Sequence, residues 1–177
     1  MEANADFDIQ FSGLKDGVHS FDFQLSESFF ETLDNDEFNA VQAKAVVRLH
    51  KKPTLMEAEF SLEGHVNVNC DLTNEPFDLA VSNGFQLVVK FGPTFSDDHE
   101  DMIVLPHGSH HFNVTQQLYE LLVLSVPQKR VHPGVEDGTM NSEVLEKLDQ
   151  LKPSANNHSS QRETDPRWDV LKKLKKK

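Results

Sequence analysis

Residues 56–72 read Met56-Glu57-Ala58-Glu59-Phe60-Ser61-Leu62-Glu63-Gly64-His65-Val66-Asn67-Val68-Asn69-Cys70-Asp71-Leu72. Even positions are apolar or glycine, and odd positions are polar or charged, until Leu72 closes the run. A strand turns successive side chains to opposite faces, so this alternation specifies one long strand with a buried even face and a wet odd face. Gly64 falls on the buried parity, where a missing side chain predicts a bulge or bend at a point where a Cβ would crowd a neighbour. Cys70 shares that parity with Val66 and Val68, which predicts a buried thiol that behaves as a small hydrophobe rather than a nucleophile.

The same period extends upstream. Val41, Ala43, Ala45, Val47 and Leu49 alternate with Gln42, Lys44, Arg48 and His50, and Lys51-Lys52-Pro53-Thr54 breaks the run into a hairpin turn. Phe21, Phe23 and Leu25 form an earlier alternating set, and Phe7, Ile9 and Phe11 another, with Lys15-Asp16-Gly17 as turn chemistry between them. These read as paired N-terminal strands. From Ser26 to Glu37 the alternation fails, and Phe29, Phe30 and Leu33 take helical spacing, which predicts one or two helical turns. Downstream, Thr73-Asn74-Glu75-Pro76 predicts a turn, Phe77, Leu79 and Val81 a strand, Ser82-Asn83-Gly84 a second turn, and Phe85, Leu87, Val89 and Phe91 a further strand. The expected result is a curved, mostly antiparallel sheet over residues 5–92.

The longer helical signals lie in the C-terminal half. Asn113-Val114-Thr115-Gln116 has capping-box spacing and precedes Leu118, Leu121, Leu122 and Val126, a helix that Pro127 ends. A second helix is expected from Asn141-Ser142-Glu143 through Val144, Leu145, Leu148 and Leu151 to Pro153. Residues 152–164 offer almost no apolar surface to offset the entropy of ordering them, and read as a flexible linker. Asp165-Pro166 then has the form of an N-cap and N1 proline opening a short basic helix with Trp168, Leu171 and Leu174 on one side. The fold class is therefore α+β: a single domain over residues 1–151, its sheet covered by C-terminal helices, a linker over 152–164 and a basic tail over 165–177.

Charge is more informative in its distribution than in its total. The 177 residues carry 17 Lys and Arg against 29 Asp and Glu, a net charge of -12 that argues against a broad nucleic-acid-binding face. Residues 165–177 reverse the sign: Arg167 and five lysines stand against Asp165 and Asp169, so the end carries +4 and the rest of the chain -16. Such an end can touch phosphates through Arg167, Lys172, Lys173, Lys175, Lys176 and Lys177, with Trp168 available to stack or to dock the tail helix on the core. The lysines also serve solubility alone. An acidic body, for its part, attracts basic proteins.

Other chemistry is thinly supported. One cysteine forms no internal disulfide and no multi-thiolate metal site, which fits a reducing compartment. His107, His110 and His111 follow the acidic run Asp97-Asp98-His99-Glu100-Asp101, but neither set has metal-ligand spacing, and solvated loops account for both. Phosphate-cradling glycine loops and nucleophile elbows are absent, and His132 with nearby carboxylates has no nucleophile at an interpretable spacing. No catalytic residue, metal or cofactor is assigned. The N-terminus has no basic segment followed by an apolar one, and no run of about 18 apolar residues occurs, so neither export nor membrane insertion is expected.

The order of features resembles the YceD family of bacteria and plastids, associated with accumulation of large-subunit ribosomal RNA. The resemblance rests on the paired N-terminal strands, the strand and turn from Leu62 to Phe77, the helix from Gln117 to Pro127, Lys129-Arg130-Val131-His132-Pro133, and Asp165-Pro166-Arg167-Trp168-Asp169-Val170-Leu171-Lys172-Lys173-Leu174. It implies a cytoplasmic, non-enzymatic factor in large-subunit biogenesis. The partner so implied is ribosomal RNA, a pre-large-subunit particle, or a basic ribosomal protein held by an acidic chaperone without RNA affinity of its own. Many members of that family carry Cys-x-x-Cys at this turn and further cysteines after the helix proline, a pattern that suggests zinc. Here Thr73 stands at the second position and no cysteine follows. Backbone hydrogen bonds and packing of Phe77 must then hold the turn.

Overall fold

A computed structural model describes residues 5–26, 29–30, 37–99, 101–140 and 143–152. The chain divides into two units, Met1–Thr139 and Met140–Lys177. The first unit is dominated by a six-stranded mixed sheet that does not close on itself, in the order β2-β3-β4-β5-β7-β6, with a separate two-stranded ribbon of β1 and β8. The strands are β1 Asp8–Gln10, β2 Gly17–Ser26, β3 Ala40–Lys51, β4 Leu55–Asn69, β5 Pro76–Gly92, β6 Ser96–His99, β7 Met102–Pro106 and β8 His111–Asn113. A single-turn 3-10 helix, Ala5–Phe7, precedes β1. The helices are α1 Thr115–Ser125 and the one-turn α2 Pro133–Glu136 in the first unit, and α3 Glu143–Leu151 in the second.

β2 to β5 form an antiparallel meander whose registers follow the sequence parity. Along β4 the even residues from Met56 to Leu62, Val66 and Val68 are buried, with Gly64 half-buried, and the odd residues face solvent except the half-buried Leu55 and Asn67. The Lys51–Thr54 break is the hairpin it was expected to be: Lys51 pairs with Met56, and Lys52 N donates to Leu55 O at 3.0 Å. At Gly64 no residue is inserted, because both registers run through Ala43↔Gly64 and Gly64↔Val81 without a break. The expected bulge is therefore replaced by close approach. A Cβ on Gly64 would lie 2.4 Å from Ala43 Cα and 2.5 Å from Gln42 O, positions that belong to backbone and cannot rotate away.

Two pairings differ from those expected. Residues 77–91 form no hairpin: β5 runs unbroken beside β4, and Asn83 and Gly84 sit opposite Leu62 and Ser61. The Asn-Gly dipeptide is a hairpin signal, but the odd-position apolar set continues across it in phase, and Gly84 is there for space, since a Cβ would come 2.9 Å from Phe60 O. The N-terminal strands are likewise not partners. β1 pairs with β8, Ile9 opposite Phe112, and Phe11 N and Ser12 N both donate to His110 O. Lys51 Nζ then ties the following loop to the meander through Phe11 O at 3.1 Å and Leu14 O at 2.8 Å.

β6 and β7 extend the sheet beyond residue 92, β7 running parallel to β5. Asp97 to His99 of the acidic run are thus an exposed part of edge strand β6 rather than loop, while His107, His110 and His111 are exposed about the turn at Gly108 and the start of β8. The helix α1 covers β4 and β5 with Leu118, Leu121 and Leu122. Its capping box does not form: the N-cap is Val114, and Asn113, one residue earlier, accepts from Thr115 N at 3.1 Å while donating to Asp8 Oδ1 at 2.7 Å. Asn113 is fixed by Asp8 in the ribbon, and its side-chain oxygen meets the first N–H of the helix. Phe29 and Phe30 are helical and buried, as their spacing predicted; most of the rest of that segment lies outside the described residues. In the second unit α3 has no buried residue, and its apolar Val144, Leu148 and Leu151 are exposed.

Candidate functional site

Arg167, Trp168, Lys172, Lys173, Lys175, Lys176 and Lys177 lie outside the described residues, as does nearly all of the linker. Within the first unit a set of specific polar contacts gathers at the turn from β4 to β5, where Cys70 begins the reversal. Cys70 N donates to Glu75 O at 2.9 Å and Asn74 N to Cys70 O at 2.8 Å, and Asn74 takes the left-handed φ of 58° that a tight reversal needs. Phe77 is buried beneath it. The turn is held by backbone bonds and a packed ring.

A second segment, residues 129–133, straps across this turn. Asp71 N donates to Arg130 O at 2.8 Å, and Arg130 N donates to Asp71 Oδ2 at 2.6 Å, a reciprocal pair spanning 59 residues. Arg130 Nε is buried 3.7 Å from Asp71 Oδ1, so the guanidinium is an ion-pair partner there rather than a hydrogen-bond donor. His132 N donates to Cys70 Sγ at 3.3 Å. The His132 ring meets Phe77 edge-on at 5.4 Å, and its Nδ1 accepts from Gly134 N at 2.9 Å, capping α2.

Cys70 is only 2% exposed. Burial raises its pKa, but the Thr73 hydroxyl and the backbone N–H groups of His132, Leu72 and Thr73 favour the thiolate more, and bring the value down to about 7. Residue 73 thus supports the sulfur by hydrogen bonding where a second thiol would support a metal. The donor set does not fit zinc: among the described residues no three His, Cys, Asp or Glu side chains converge, and the nearest imidazole spends Nδ1 on Gly134. The strap was missed by sequence reasoning because its contacts to residues 70 and 71 are mostly backbone atoms, which have no residue-type signature. The His132-Pro133 pair, an N-cap followed by N1 proline, was the one local signal of α2.

This arrangement describes a small sheet protein with a tied turn. A family model described as large ribosomal RNA subunit accumulation protein YceD matches residues 58–175. That span exceeds half of the chain, begins within β4 and includes the tied turn, the strap and most of the basic end. The chain belongs to the YceD family, whose description places it in accumulation of large-subunit ribosomal RNA. No curated protein and no solved structure matches it. No helix among the described residues is long and apolar enough to cross a membrane.

Proposed function

We propose that this chain is a cytoplasmic, non-enzymatic factor of large-subunit biogenesis that supports ribosomal RNA accumulation by binding. RNA contact is carried by Arg167, Trp168, Lys172, Lys173, Lys175, Lys176 and Lys177, while the acidic remainder meets a basic ribosomal protein. The observation that carries this reading is the charge division, +4 over residues 165–177 against -16 elsewhere, together with the inclusion of residues 165–175 in the family match. A polyanion is repelled by the body and attracted to the end.

Removing residues 165–177 tests it. The truncated protein keeps the circular dichroism spectrum and melting temperature of the intact chain, because the contacts that fix the first unit are made within residues 5–139. Its affinity for ribosomal RNA falls at least tenfold, and the salt dependence flattens by about one logarithmic unit for each phosphate no longer engaged. Equal RNA affinity with an equal salt slope refutes the assignment to the tail. Absence of RNA binding in both proteins, with ribosomal proteins still co-purifying after nuclease treatment, favours the chaperone reading.

A further inference from the structure

A cavity of about 370 Å³ opens between edge strand β6, the inner face of β7, β8 and the first turn of α1. Its floor is apolar, because the buried Ile103, Leu105 and Phe112 all line it. Phe95, just before β6, lines it too, is 57% exposed, and has no ring packed against its own. Two polar groups on this cavity are acceptors without donors. Gln117 Oε1 is buried and has no hydrogen-bond partner among the described residues. The Asp97 carboxylate has neither an ion pair nor a hydrogen bond, since the Ser96 hydroxyl donates to Asp98 instead, at 2.9 Å. A buried acceptor left unpaired costs free energy, which a donor arriving with a ligand recovers.

The surroundings carry the same sign. Residues 91–120 hold no Lys or Arg, while Asp98 and Asp101 stand close to Asp97 in the chain. Lys90 pairs with Val104, whose parity is opposite to that of Ile103 and Leu105, so it serves the other face of the sheet. The ligand that fits is apolar along its stem, flat enough to stack on a ring, cationic, and rich in N–H donors. A guanidinium on its methylene stem has all four properties. An ammonium has the charge but neither the plane nor the weak hydration. RNA phosphates would meet carboxylates and no cation. A second copy of this chain has no unpaired arginine to offer among the described residues, since Arg48 pairs with Glu59 and Arg130 with Asp71.

We infer that this cavity receives an arginine side chain of a basic partner protein. Its methylenes pack on Ile103, Leu105 and Phe112, its guanidinium stacks on Phe95, and its N–H groups donate to Asp97 and to Gln117 Oε1. Stacking and the carboxylate supply the preference for arginine, and the orphan acceptor supplies the requirement for a donor. The inference rests on the proposed function only in taking that partner to be a basic ribosomal protein.

The test uses the full chain at pH 8, above the ordinary imidazole value of about 6.5. Its resonances are followed by two-dimensional NMR during titration with three Gly/Ser peptides that differ only in a central arginine, lysine or citrulline. The arginine peptide is expected to shift residues 95–97 and the Gln117 side-chain amide. It is expected to bind about fivefold more tightly than the lysine peptide and about tenfold more tightly than the neutral citrulline peptide. Asp97→Asn and Phe95→Ala, at exposed positions and checked by thermal melt for retention of fold, are each expected to weaken that binding several-fold, as is Gln117→Leu. Equal affinity for arginine and citrulline overturns the site. So do shifts confined to other residues, or undiminished binding by both Asp97→Asn and Phe95→Ala. Displacement of the peptide by ribosomal RNA from the protein lacking residues 165–177 overturns the choice of a protein partner. Tighter peptide binding after that truncation overturns it in favour of this chain's own basic end. The truncated protein is expected to bind the peptide as the intact chain does, and Asp97→Asn to keep the RNA affinity of the intact chain, so failure of either reading leaves the other standing.

Discussion

β4 is constrained at two places six residues apart by different physics. At Gly64 the neighbouring backbone of β3 comes so close that no side chain fits, and the constraint is steric. At Cys70 and Asp71 the strand ends in a turn tied to a distant strap by individual hydrogen bonds and one ion pair, and the constraint is polar. The first kind cannot be relieved by a local rotamer change. The second is divisible, because each bond can be removed while the others persist. Stability should therefore fall steeply for a one-atom change in the meander and in modest steps at the turn.

The largest effect is expected for Gly64→Val. Its Cβ must displace Ala43 Cα and Gln42 O, and its branched methyls add to the overlap, so a loss of about 3 kcal/mol or more is expected, at the upper end of overpacking costs. Denaturant melts check it. Ala43→Gly should not rescue the variant, since the approaches of 2.4 and 2.5 Å to Ala43 Cα and Gln42 O remain. Rescue, or an unchanged midpoint, would place the constraint in side-chain packing and erase the contrast with the turn.

Next in size is Asp71→Ala, which removes the acceptor of Arg130 N and leaves the buried Arg130 Nε without its counter-charge. A cost of about 2 kcal/mol is expected from the loss of a charge-assisted bond and the stranding of its partner. The loss should be local first. Hydrogen exchange at Asp71 and at residues 130–137 should accelerate while the amides of β3 and β4 keep their protection. Uniform acceleration across the sheet would show that the strap and the meander are a single cooperative unit.

The same division explains what could be read in advance. β3 and β4 were legible because parity records burial, and one buried face is enough to fix a register. β5 was legible in its parity too, since Phe77 to Phe91 stay in phase through Asn83, but the local Asn-Gly signal outweighed it. The partner of β1 was not legible: three residues, His111–Asn113, pair with three about a hundred positions earlier, and nothing local records that choice. β7 was not legible, because its five residues have only two buried apolar positions, Ile103 and Leu105, too short a run for parity to record a strand. At the turn, Cys70 and Phe77 were expected to be buried and are, whereas Arg130 and His132 act there largely through backbone N–H and C=O groups common to every residue. The basic end was legible as charge, which composition states outright, and its placement lies outside the described residues.

The smallest effect expected on stability, and the most specific to the polar side of the contrast, concerns the Cys70 thiol. Hydrogen bonds from the Thr73 hydroxyl and from backbone N–H groups bring its pKa to about 7 despite burial, below the value of about 8.5 for an unperturbed thiol. The native state thus holds the proton less tightly than the unfolded chain. The resulting stabilisation is complete above the unfolded value and is lost as pH falls through about 7. Alkylation by a small neutral reagent should be slow, because the sulfur is buried, yet its rate should reach half its plateau near pH 7. Thr73→Val removes one of the bonds that favour the thiolate and adds apolar surface beside it, so the half-point should move upward while the melting temperature at pH 6, where the thiol is mostly protonated in either protein, changes little. A profile centred near pH 8.5 in the native chain, or one that Thr73→Val leaves in place, would mean that the turn does not polarise its sulfur and is held, like Gly64, by packing alone.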